Sequence, residues 1–546
     1  MLGLMQDRQL LVSGILEHAA LNHGEREIVS AMTEGPMHRY NYIALADRSR
    51  RLANALSGMG VKPGQCVATL AWNTFRHVEC WYAIAGMGAI AHTINPRLFP
   101  EQITYIANHA EDQYIFTDLT FIEQLEGIAD QLETVKGFVI LTDRDHMPET
   151  KLKNTICYED LIAEESTAFS WPELDENTAC GLCYTSGTTG NPKGVLYSHR
   201  SNVLHAMAAT GADAMALRST DNVMPVVPMF HANAWALTYA VPMVGGKLVL
   251  PGRHLDGESV YNMLENEQIN FTAAVPTVWL MLLQHMQAND LKLNYLKRVV
   301  IGGSAVPRSM IDTFENVYGV EVAHAWGMTE MSPLGTLCNF KAGMESLDKQ
   351  ARLDIKVKQG RVIYPVEIKI TDDDGKELPR DGKAFGHLLV RGPTISKSYL
   401  KGEGGEILDS GGWFDTGDVA TIDPLGFMQI TDRSKDVIKS GGEWISSIDL
   451  ENLAVGCPGV AEAAVIGIVH PKWDERPLLI IVRSEGSNVT REEVLAYMDG
   501  KIAKWWMPDD VAFIEEIPHT ATGKIQKTTL RDQFAGYKLP TADAAE

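Results

Sequence analysis

A run of hydroxyls and glycines with one lysine, YTSGTTGNPKG at residues 184–194, constrains this chain more than any other feature. Glycines let a backbone approach a polyanion closely, and hydroxyls and a lysine add the donors and charge that suit phosphate. An apolar run that predicts a short strand precedes it, and a predicted helix follows from His199. The sequence therefore predicts a strand leading into a phosphate-binding loop. Its candidate ligands are Thr185, Ser186, Gly187, Thr188, Thr189 and Lys193.

This loop differs from the two common nucleotide-binding patterns. A P-loop requires Ser or Thr directly after its lysine, whereas Gly194 follows Lys193 here, and the spacing of the glycines is also different. The G-x-G-x-x-G pattern is absent. A plain surface loop is the alternative, but the density of donors beside a strand favours phosphate binding.

Size and charge narrow the class of protein. The 546 residues predict two to four domains or subdomains. A net charge of −22 argues against a nucleic-acid partner and against binding to an anionic membrane surface. The first 20 residues predict an amphipathic helix, without a cleavage site for a signal peptide. No window is apolar enough for a membrane helix, so we expect no stable membrane insertion and a cytoplasmic location.

Seven scattered cysteines, an odd number at low density, fit a reducing compartment. Cys180 and Cys183 form a C-x-x-C motif, which in other settings is a redox site. Here both lie in the apolar run before the phosphate loop and not at the start of a helix. We therefore predict buried core thiols.

Strand-like and helix-like runs alternate from about residue 65, which predicts parallel sheets with helices on their faces. After about residue 355 the pattern changes to antiparallel strands joined by an acidic turn at TDDDG. The charged, glycine-containing segment DRSKDVIKSGGEW, which begins at residue 432, is typical of a hinge. The predicted division is a large domain at 1–431, a hinge at 432–435 and a small α+β domain at 436–546.

Four distant motifs accompany the loop: HAWGMTE at 324–330, WFDTGD at 413–418, DRSKDVIKSGGE at 432–443 and PHTATGKIQK at 518–527. Each is weak alone, but their order and spacing together are specific. Over about residues 20–535 the chain resembles the adenylate-forming superfamily of acyl-CoA synthetases, firefly-luciferase-like enzymes and peptide-synthetase adenylation domains. With VPMFHANAW at 227–235 it looks most like the fatty-acyl-CoA ligases, and more narrowly like those of 3-methylmercaptopropionate.

The resemblance implies an α/β fold. Its large N-terminal domain would hold mixed and parallel sheets with helices and a β-barrel-like subdomain, followed by a small mobile α+β C-terminal domain. It also implies two half-reactions: ATP and a carboxylate give an acyl-adenylate and pyrophosphate, and coenzyme A then displaces AMP. A carboxylate is already ionised at neutral pH, so the first step needs stabilisation of charge and not a general base.

The resemblance also assigns roles to residues. Glu330 would hold Mg²⁺, a hard cation that prefers carboxylate and phosphate oxygens, and Lys524 would bridge the attacking carboxylate and the α-phosphate. The implied catalytic residues are Thr185, His231, Glu330 and Lys524. The implied nucleotide-binding residues, with Trp326 stacked on adenine and Asp418 accepting the ribose hydroxyls, are Gly303, Ser304, Ala325, Trp326, Gly327, Met328, Thr329, Asp418 and Arg433.

For the second half-reaction, the resemblance implies that the small domain rotates about the hinge, with Lys435 at the pivot. Lys524 would leave and the segment near Gly441 would enter. The residues implied for the coenzyme A side are Lys435, Lys439, Gly441, Gly442, Glu443 and Trp444.

His231 and Trp235 would form a gate between the ATP site and the acyl channel, with Trp235 closing the channel until ATP binds. The neighbouring Val227, Met229, Phe230 and Ala232 give an apolar lining without Arg or Lys. A neutral aliphatic or thioether acid is favoured, because an apolar pocket separates a methylene from a thioether poorly.

We therefore predict an AMP-forming acyl-CoA ligase that uses ATP, Mg²⁺ and coenzyme A, with 3-(methylthio)propionate as the first choice of acid. A general short- or medium-chain fatty acid ligase is the alternative within the class. A non-catalytic AMP- or ATP-binding sensor is the alternative from another class, and an intact Lys524 argues against it. Relatives that are dimeric through the large domain suggest a homodimer.

Overall fold

The computed structural model describes residues 1, 3–185, 191–441, 443–519 and 525–541, without the side chains of residues 443 and 444. The strands of this part of the chain are β1 Glu27–Ser30, β2 His38–Asn41, β3 Cys66–Leu70, β4 Ile90–Thr93, β5 Ile115–Thr117, β6 Phe138–Ile140, β7 Thr155–Cys157, β8 Ala179–Tyr184, β9 Gly194–Ser198, β10 Asn222–Pro225, β11 Lys247–Leu250, β12 Phe271–Ala274, β13 Arg298–Ile301, β14 Glu321–Gly327, β15 Leu334–Leu337, β16 Arg361–Val362, β17 Glu367–Thr371, β18 Phe385–Arg391, β19 Phe414–Ile422, β20 Met428–Arg433, β21 Ile438–Ser440, β22 Glu443–Ile445, β23 Val460–His470, β24 Asp474–Arg483 and β25 Asp510–Phe513.

The α-helices of the described residues are α1 Val12–His23, α2 Tyr42–Gly58, α3 Phe75–Gly86, α4 Pro100–Ala110, α5 Ile122–Glu126, α6 Tyr158–Ala163, α7 His199–Thr210, α8 Leu237–Val244, α9 Gly257–Asn266, α10 Pro276–Ala288, α11 Arg308–Asp312, α12 Lys349–Lys356, α13 Ser447–Val455, α14 Arg491–Met498 and α15 Lys527–Gln533. None of them is long and apolar enough to cross a membrane.

Two large sheets carry the alternating half of the chain. One has the order β7-β6-β5-β3-β4-β8-β9, and the other has the order β16-β15-β14-β13-β12-β10-β11-β1-β2. Their central strands are parallel and antiparallel pairs occur only toward their edges. Helix α3 contacts strands of both sheets and is buried on every side, as expected for a helix that is apolar all round. The predicted α/β fold with mixed and parallel sheets is confirmed.

Two smaller sheets follow. Strands β17-β18-β19-β20 form an antiparallel sheet, which confirms the predicted change of pattern. The last sheet has the order β22-β21-β24-β23, and β25 joins β24 in parallel. Its long hairpin, β23 with β24, runs from the pair Val460 and Arg483 to the pair His470 and Asp474. The predicted small α+β unit is therefore present, whereas rotation about residues 432–435 stays a prediction.

The structure corrects two expectations. The first helix begins only at Val12, because Leu10 donates its backbone N–H to Glu176 at 3.0 Å and Glu176 in turn donates to the side chain of Gln9. These contacts hold residues 9 and 10 against Glu176 of the large domain in a non-helical conformation. The hinge-like segment that begins at residue 432 also contains regular structure, since β21 and β22 pair as an antiparallel hairpin directly after the predicted hinge at 432–435.

All seven cysteines are buried and free, which confirms the burial predicted for Cys180 and Cys183. Cys180 and Cys183 both lie in β8, and burial raises the pKa of the Cys180 thiol to about 12. Such thiols stay protonated at neutral pH, which excludes the redox interpretation of the C-x-x-C motif.

Candidate active site

The base of the phosphate loop is closed by its two end residues. Thr185 donates its backbone N–H to the carbonyl of Lys193 at 2.9 Å, and the backbone N–H of Lys193 donates to Thr185 Oγ1 at 3.3 Å. The loop joins the antiparallel strands β8 and β9, so it is a hairpin loop, and the sequence had not indicated β9. The candidates Ser186, Gly187, Thr188 and Thr189 lie outside the described residues.

A tyrosine joins the loop lysine to the predicted metal ligand. The ammonium of Lys193 lies 5.1 Å from the ring centroid of Tyr399, and Tyr399 donates its hydroxyl to Glu330 Oε1 at 2.7 Å. Burial and the charge of Glu330 raise the pKa of the Tyr399 phenol, which keeps this donor protonated. No role was assigned to Tyr399 from the sequence, because its partner Glu330 is 69 residues away along the chain.

The backbone around Glu330 is fixed as well. Tyr197 donates its hydroxyl to the carbonyl of Thr329 at 2.7 Å, and Ser396 donates its backbone N–H to the carbonyl of Glu330, also at 2.7 Å. The side chain of Glu330 is only 6% exposed. Three hydrogen bonds, from Tyr197, Ser396 and Tyr399, thus fix the buried carboxylate of Glu330 and the backbone that carries it.

The residues at this mouth fit an ion that is carried by a nucleotide. Within the described ranges, no group of three or more His, Cys, Asp or Glu side chains could enclose a metal. Magnesium in phosphate-transfer sites is held by one or two carboxylates together with substrate phosphates. Glu330, with one oxygen bound to Tyr399, meets that requirement.

A second cluster joins the predicted adenine and ribose residues. Trp326 Nε1 donates to Asp418 Oδ2 at 3.0 Å, and Arg433 Nε lies 2.9 Å from Asp418 Oδ1. Asp418 and Arg433 are opposite each other in the β19–β20 pair. Asp418 is 3% exposed. Its charge is therefore balanced within the site by an indole donor and a guanidinium.

The other predicted nucleotide residues surround Trp326 on the end of β14. Gly327 allows a close backbone approach, because a Cβ there would lie 2.2 Å from the carbonyl oxygen of Pro333. Gly303 and Ser304, which follow the neighbouring strand β13, are exposed. Ala325 and Thr329 are buried, and Gly327 and Met328 are half-buried.

The gate segment has an unusual backbone. Residues 232–236, none of them glycine, all have positive φ, between +43° and +68°. The left-handed conformation costs an L-residue about 1–2 kcal/mol. This left-handed turn places Trp235, 8% exposed, so that its Cη2 would lie 3.2 Å from a Cβ at Gly302. The indole therefore fills the space where Gly302 lacks a side chain. No role was assigned to Gly302 from the sequence, although two consecutive glycines at 302–303 indicate a place where another group can approach the backbone closely.

Buried asparagines hold this turn in place. Asn233 donates to the side chain of Asn202 at 3.0 Å, and Asn202 donates to Cys180 Sγ at 3.2 Å. Asn73 donates to the carbonyls of Pro225 and Val227 and accepts the backbone N–H of residue 229. These contacts compensate for the unfavourable backbone.

A cavity lies beside the gate. It is lined by Thr93, Asn95, Leu98, Ile106, Tyr184, Phe230 and His231. None of these residues is a Lys or Arg. The structure thus brings Phe230, His231 and the last residue of β8 to one cavity. Val227, Met229 and Ala232 are buried, and their place in the acyl lining stays a prediction.

The predicted hinge lies beside a network of buried charges. Asp432, only 1% exposed, accepts the backbone N–H of Ser447 at 2.8 Å. Lys527 pairs with Glu451 at 2.7 Å and also donates to the Ser447 hydroxyl. Lys435, at the predicted pivot, is exposed, and its carbonyl accepts from Arg531 at 3.3 Å.

Of the residues predicted for the coenzyme A side, two more are described in full. Lys439 lies in β21, and its backbone N–H donates to Glu475 at 3.0 Å. Gly441 follows β21 with φ +59°. Gly442 and Lys524 lie outside the described residues, and so do the side chains of Glu443 and Trp444. The structure brings Trp326 and Asp418 into direct contact, and it places Lys193 and Glu330 on either side of Tyr399. The position of Lys524 relative to them stays a prediction.

Comparison with known proteins gives matches over the whole chain. The family described as AMP-binding enzyme matches residues 16–400, and AMP-binding enzyme C-terminal domain matches residues 449–524. The 3-methylmercaptopropionyl-CoA ligase of Ruegeria pomeroyi is 51% identical over 534 residues, which cover 98% of this chain and 99% of the relative. The medium-chain-fatty-acid–CoA ligase of Ectopseudomonas oleovorans is 48% identical over 544 residues, which cover 100% of both chains. Among solved structures, the anthranilate CoA ligase AuaEII in complex with anthranoyl-AMP has a TM-score of 0.86 and 25% identity, and covers 97% of this chain and 99% of its own.

Proposed function

The chain belongs to the AMP-binding enzyme family, and from that membership we propose that it is an AMP-forming acyl-CoA ligase whose acid is 3-(methylthio)propionate. It would convert the acid, ATP and coenzyme A into the thioester, AMP and pyrophosphate. The observation that carries the proposal is the cluster at the mouth of the phosphate loop, where Tyr399 connects Lys193 to the buried Glu330.

In the first half-reaction, an oxygen of the substrate carboxylate attacks the α-phosphorus while the bond to pyrophosphate breaks. Negative charge then grows on the departing phosphates, and a cation fixed in advance stabilises it without reorganising. Lys193 supplies such a charge at the loop, and Lys524 would supply one at the α-phosphate. Bound Mg²⁺, held by Glu330 and phosphate oxygens, would add further neutralisation.

The nucleotide is positioned by the second cluster. Asp418 has two acceptor oxygens, and the ribose hydroxyls would share them with Trp326 and Arg433. The indole of Trp326, fixed through its Nε1, offers its face to adenine. Trp326 and Asp418 are buried and paired before ATP binds, so their side chains lose little conformational entropy on binding.

In the second half-reaction, the sulfur of coenzyme A attacks the acyl carbon, the bond to AMP breaks and the thiol proton is released. Rotation about residues 432–435 would withdraw Lys524 and bring in the segment near Gly441. A hinge that absorbs the change in a few residues is a common way to separate two chemical steps.

The choice of acid rests on the acyl side of the gate. Val227, Met229, Phe230 and Ala232 are apolar and buried, Trp235 packs over Gly302, and none of the residues lining the adjacent cavity is a Lys or Arg. A short neutral chain fits that chemistry better than an acid with a second charge. The 51% identity to the Ruegeria pomeroyi ligase favours the thioether acid.

A medium-chain fatty acid is the second candidate, because the relative from Ectopseudomonas oleovorans matches the entire chain. The test is a panel of acids from acetate to octanoate with 3-(methylthio)propionate, each assayed for AMP release and for thioester. A kcat/KM maximum at the thioether acid is expected. A maximum at hexanoate or octanoate would transfer the proposal to the fatty acids, and no AMP with any acid would favour a nucleotide sensor.

Lys524→Ala tests the separation of the two steps. Adenylate formation is expected to be lost, while thioester formation from supplied acyl-adenylate is retained. Equal loss of both would contradict the proposed rotation. The homodimer expected from relatives stays a prediction, to be checked by sedimentation.

A further inference from the structure

Two tryptophans of the small domain enclose the backbone of Gly441. A Cβ at Gly441 would lie 3.0 Å from Cε3 of Trp473 and 3.4 Å from Cζ2 of Trp505. The two indoles meet edge to face with their centroids 4.8 Å apart. The backbone N–H of Gly441 also donates to the carbonyl of Trp473 at 2.8 Å. A glycine with φ +59° is thus held on two sides by rings and on a third by a hydrogen bond.

A buried arginine fixes this arrangement from behind. Arg476 is 7% exposed, and its guanidinium lies 4.7 Å from the ring centroid of Trp505. The same guanidinium donates to the carbonyl of Trp505 at 2.8 Å and to the hydroxyl of Ser440 at 3.3 Å. Asp509 pairs with it at 2.7 Å. Arg476 therefore ties the strand that ends before Gly441 to the segment that carries Trp505.

We propose that Trp473 and Trp505 are positioning residues for the thioester-forming half-reaction, acting through the backbone of Gly441. This inference rests on the proposed function, in which the segment near Gly441 enters the active site when coenzyme A reacts. A segment that must guide a thiol onto an acyl carbon has to be held to within about 1 Å, since a displacement of that size can cost roughly 100-fold in rate. The indoles supply that restraint through their contact with the backbone of Gly441.

The arrangement also explains why the residue at 441 is a glycine. Any side chain there would strain the left-handed backbone and meet the ring of Trp473. The surroundings fit a fixed conformation better than a free linker, because a free linker would need neither the two rings nor the buried Arg476.

The test compares the half-reactions in Trp473→Ala. Thioester formation from supplied acyl-adenylate is expected to lose roughly 10- to 100-fold in kcat, with adenylation and the KM for coenzyme A unchanged. Trp473→Phe keeps an aromatic face against Gly441 and is expected to restore most of the loss. A raised KM with unchanged kcat would overturn the proposal, since it would mean that Trp473 touches coenzyme A directly.

Gly441→Ala provides the matching change on the other side of the contact. It is expected to impair the same half-reaction, and to do so less when Trp473 is already Ala, because the added methyl then has room. Additive effects of the two substitutions would contradict a contact between them. Trp506→Ala is the control, since Trp506 is half-buried and packs on the core of the same domain, as Trp505 does, but lies farther from Gly441 than Trp473 and Trp505. It is expected to lower Tm without separating the half-reactions.

Two readouts keep this inference separate from the proposed function. Wild-type protein that forms no thioester with any acid would refute the proposed function. Active wild-type protein whose Trp473→Ala variant loses both half-reactions equally would refute only the role of the tryptophans. Hydrogen exchange of the Gly441 amide needs no turnover at all: exchange is expected to be slow in wild type and faster in Trp473→Ala, and equal rates would overturn the proposal.

Discussion

Removing one hydroxyl tests the link between the phosphate loop and the predicted metal ligand. In Tyr399→Phe, the ring stays above Lys193, so the cation–π contact at 5.1 Å is kept. Only the 2.7 Å hydrogen bond to Glu330 is lost. The substitution therefore separates the positioning of the carboxylate from everything else that Tyr399 does.

The size of the effect follows from the environment of that bond. A hydrogen bond to a charged group is worth about 1.5–3 kcal/mol, and Glu330 is nearly fully buried. Since about 1.4 kcal/mol corresponds to a factor of ten in rate, adenylation should lose roughly 10- to 150-fold in kcat/KM. The Mg²⁺ concentration for half-maximal rate should rise, because a carboxylate that is free to turn binds the ion less well.

The assay is ATP–pyrophosphate exchange at several Mg²⁺ concentrations, with thioester formation from supplied acyl-adenylate as an internal comparison. That second step is expected to be unchanged. Tyr537→Phe is the matched control, because Tyr537 donates to Asp510 at 2.7 Å in the small domain, away from the loop. Exchange rates in Tyr399→Phe equal to those of Tyr537→Phe would refute the role given to the Tyr399 hydroxyl.

Three further predictions follow from buried groups. Trp235→Ala should allow octanoate to bind without ATP in a titration calorimeter, whereas wild type should not; equal binding by both would contradict the gate. Burial lowers the pKa of His199, His205 and His324 from 6.5 to about 4. Between about pH 4 and pH 6.5 the unfolded chain therefore binds more protons than the folded protein. The free energy of unfolding should therefore fall as the pH is lowered from about 6.5 to 4, and a melting series with a flat profile there would argue against it. Lys527→Met leaves a buried carboxylate unpaired and should cost about 3–5 kcal/mol of stability, measured by urea unfolding; a loss below about 1 kcal/mol would count against the pairing.

The alternation of apolar runs predicted the two parallel sheets, because the period of a strand and that of a helix are both visible locally. Helix α3 and strand β14 both fall where their apolar runs predict them. Local sequence patterns were less reliable where contacts with a distant part of the chain determine the secondary structure. The first helix is shorter than its apolar pattern, since Glu176 binds the backbone that precedes it. Strand β9 was missed because its pairing with β8 is a property of the hairpin and not of periodicity.

In the candidate active site too, some features could be predicted from the sequence and others could not. The residue types of the loop indicated Lys193, because hydroxyls, glycines and a lysine suit phosphate. Glu330, Trp326 and Asp418 were implied only by the resemblance of four distant motifs to the adenylate-forming enzymes. Tyr399 joins two of these only through folding, and no spacing along the chain indicates that contact. The left-handed turn was not predictable either, since alanine strongly prefers right-handed backbone and the compensating asparagines come from other elements.

That turn has a consequence for how such ligases diverge. If Trp235 closes the acyl channel as proposed, part of the stability of the closed state is set by backbone handedness, and replacing an alanine such as Ala234 by glycine would favour closure without altering a wall residue. Substitutions at Asn202 would act in the opposite direction. Two relatives with identical acyl walls can therefore accept different acids, and evolution or an engineer can tune the range of substrates from positions that no substrate ever touches.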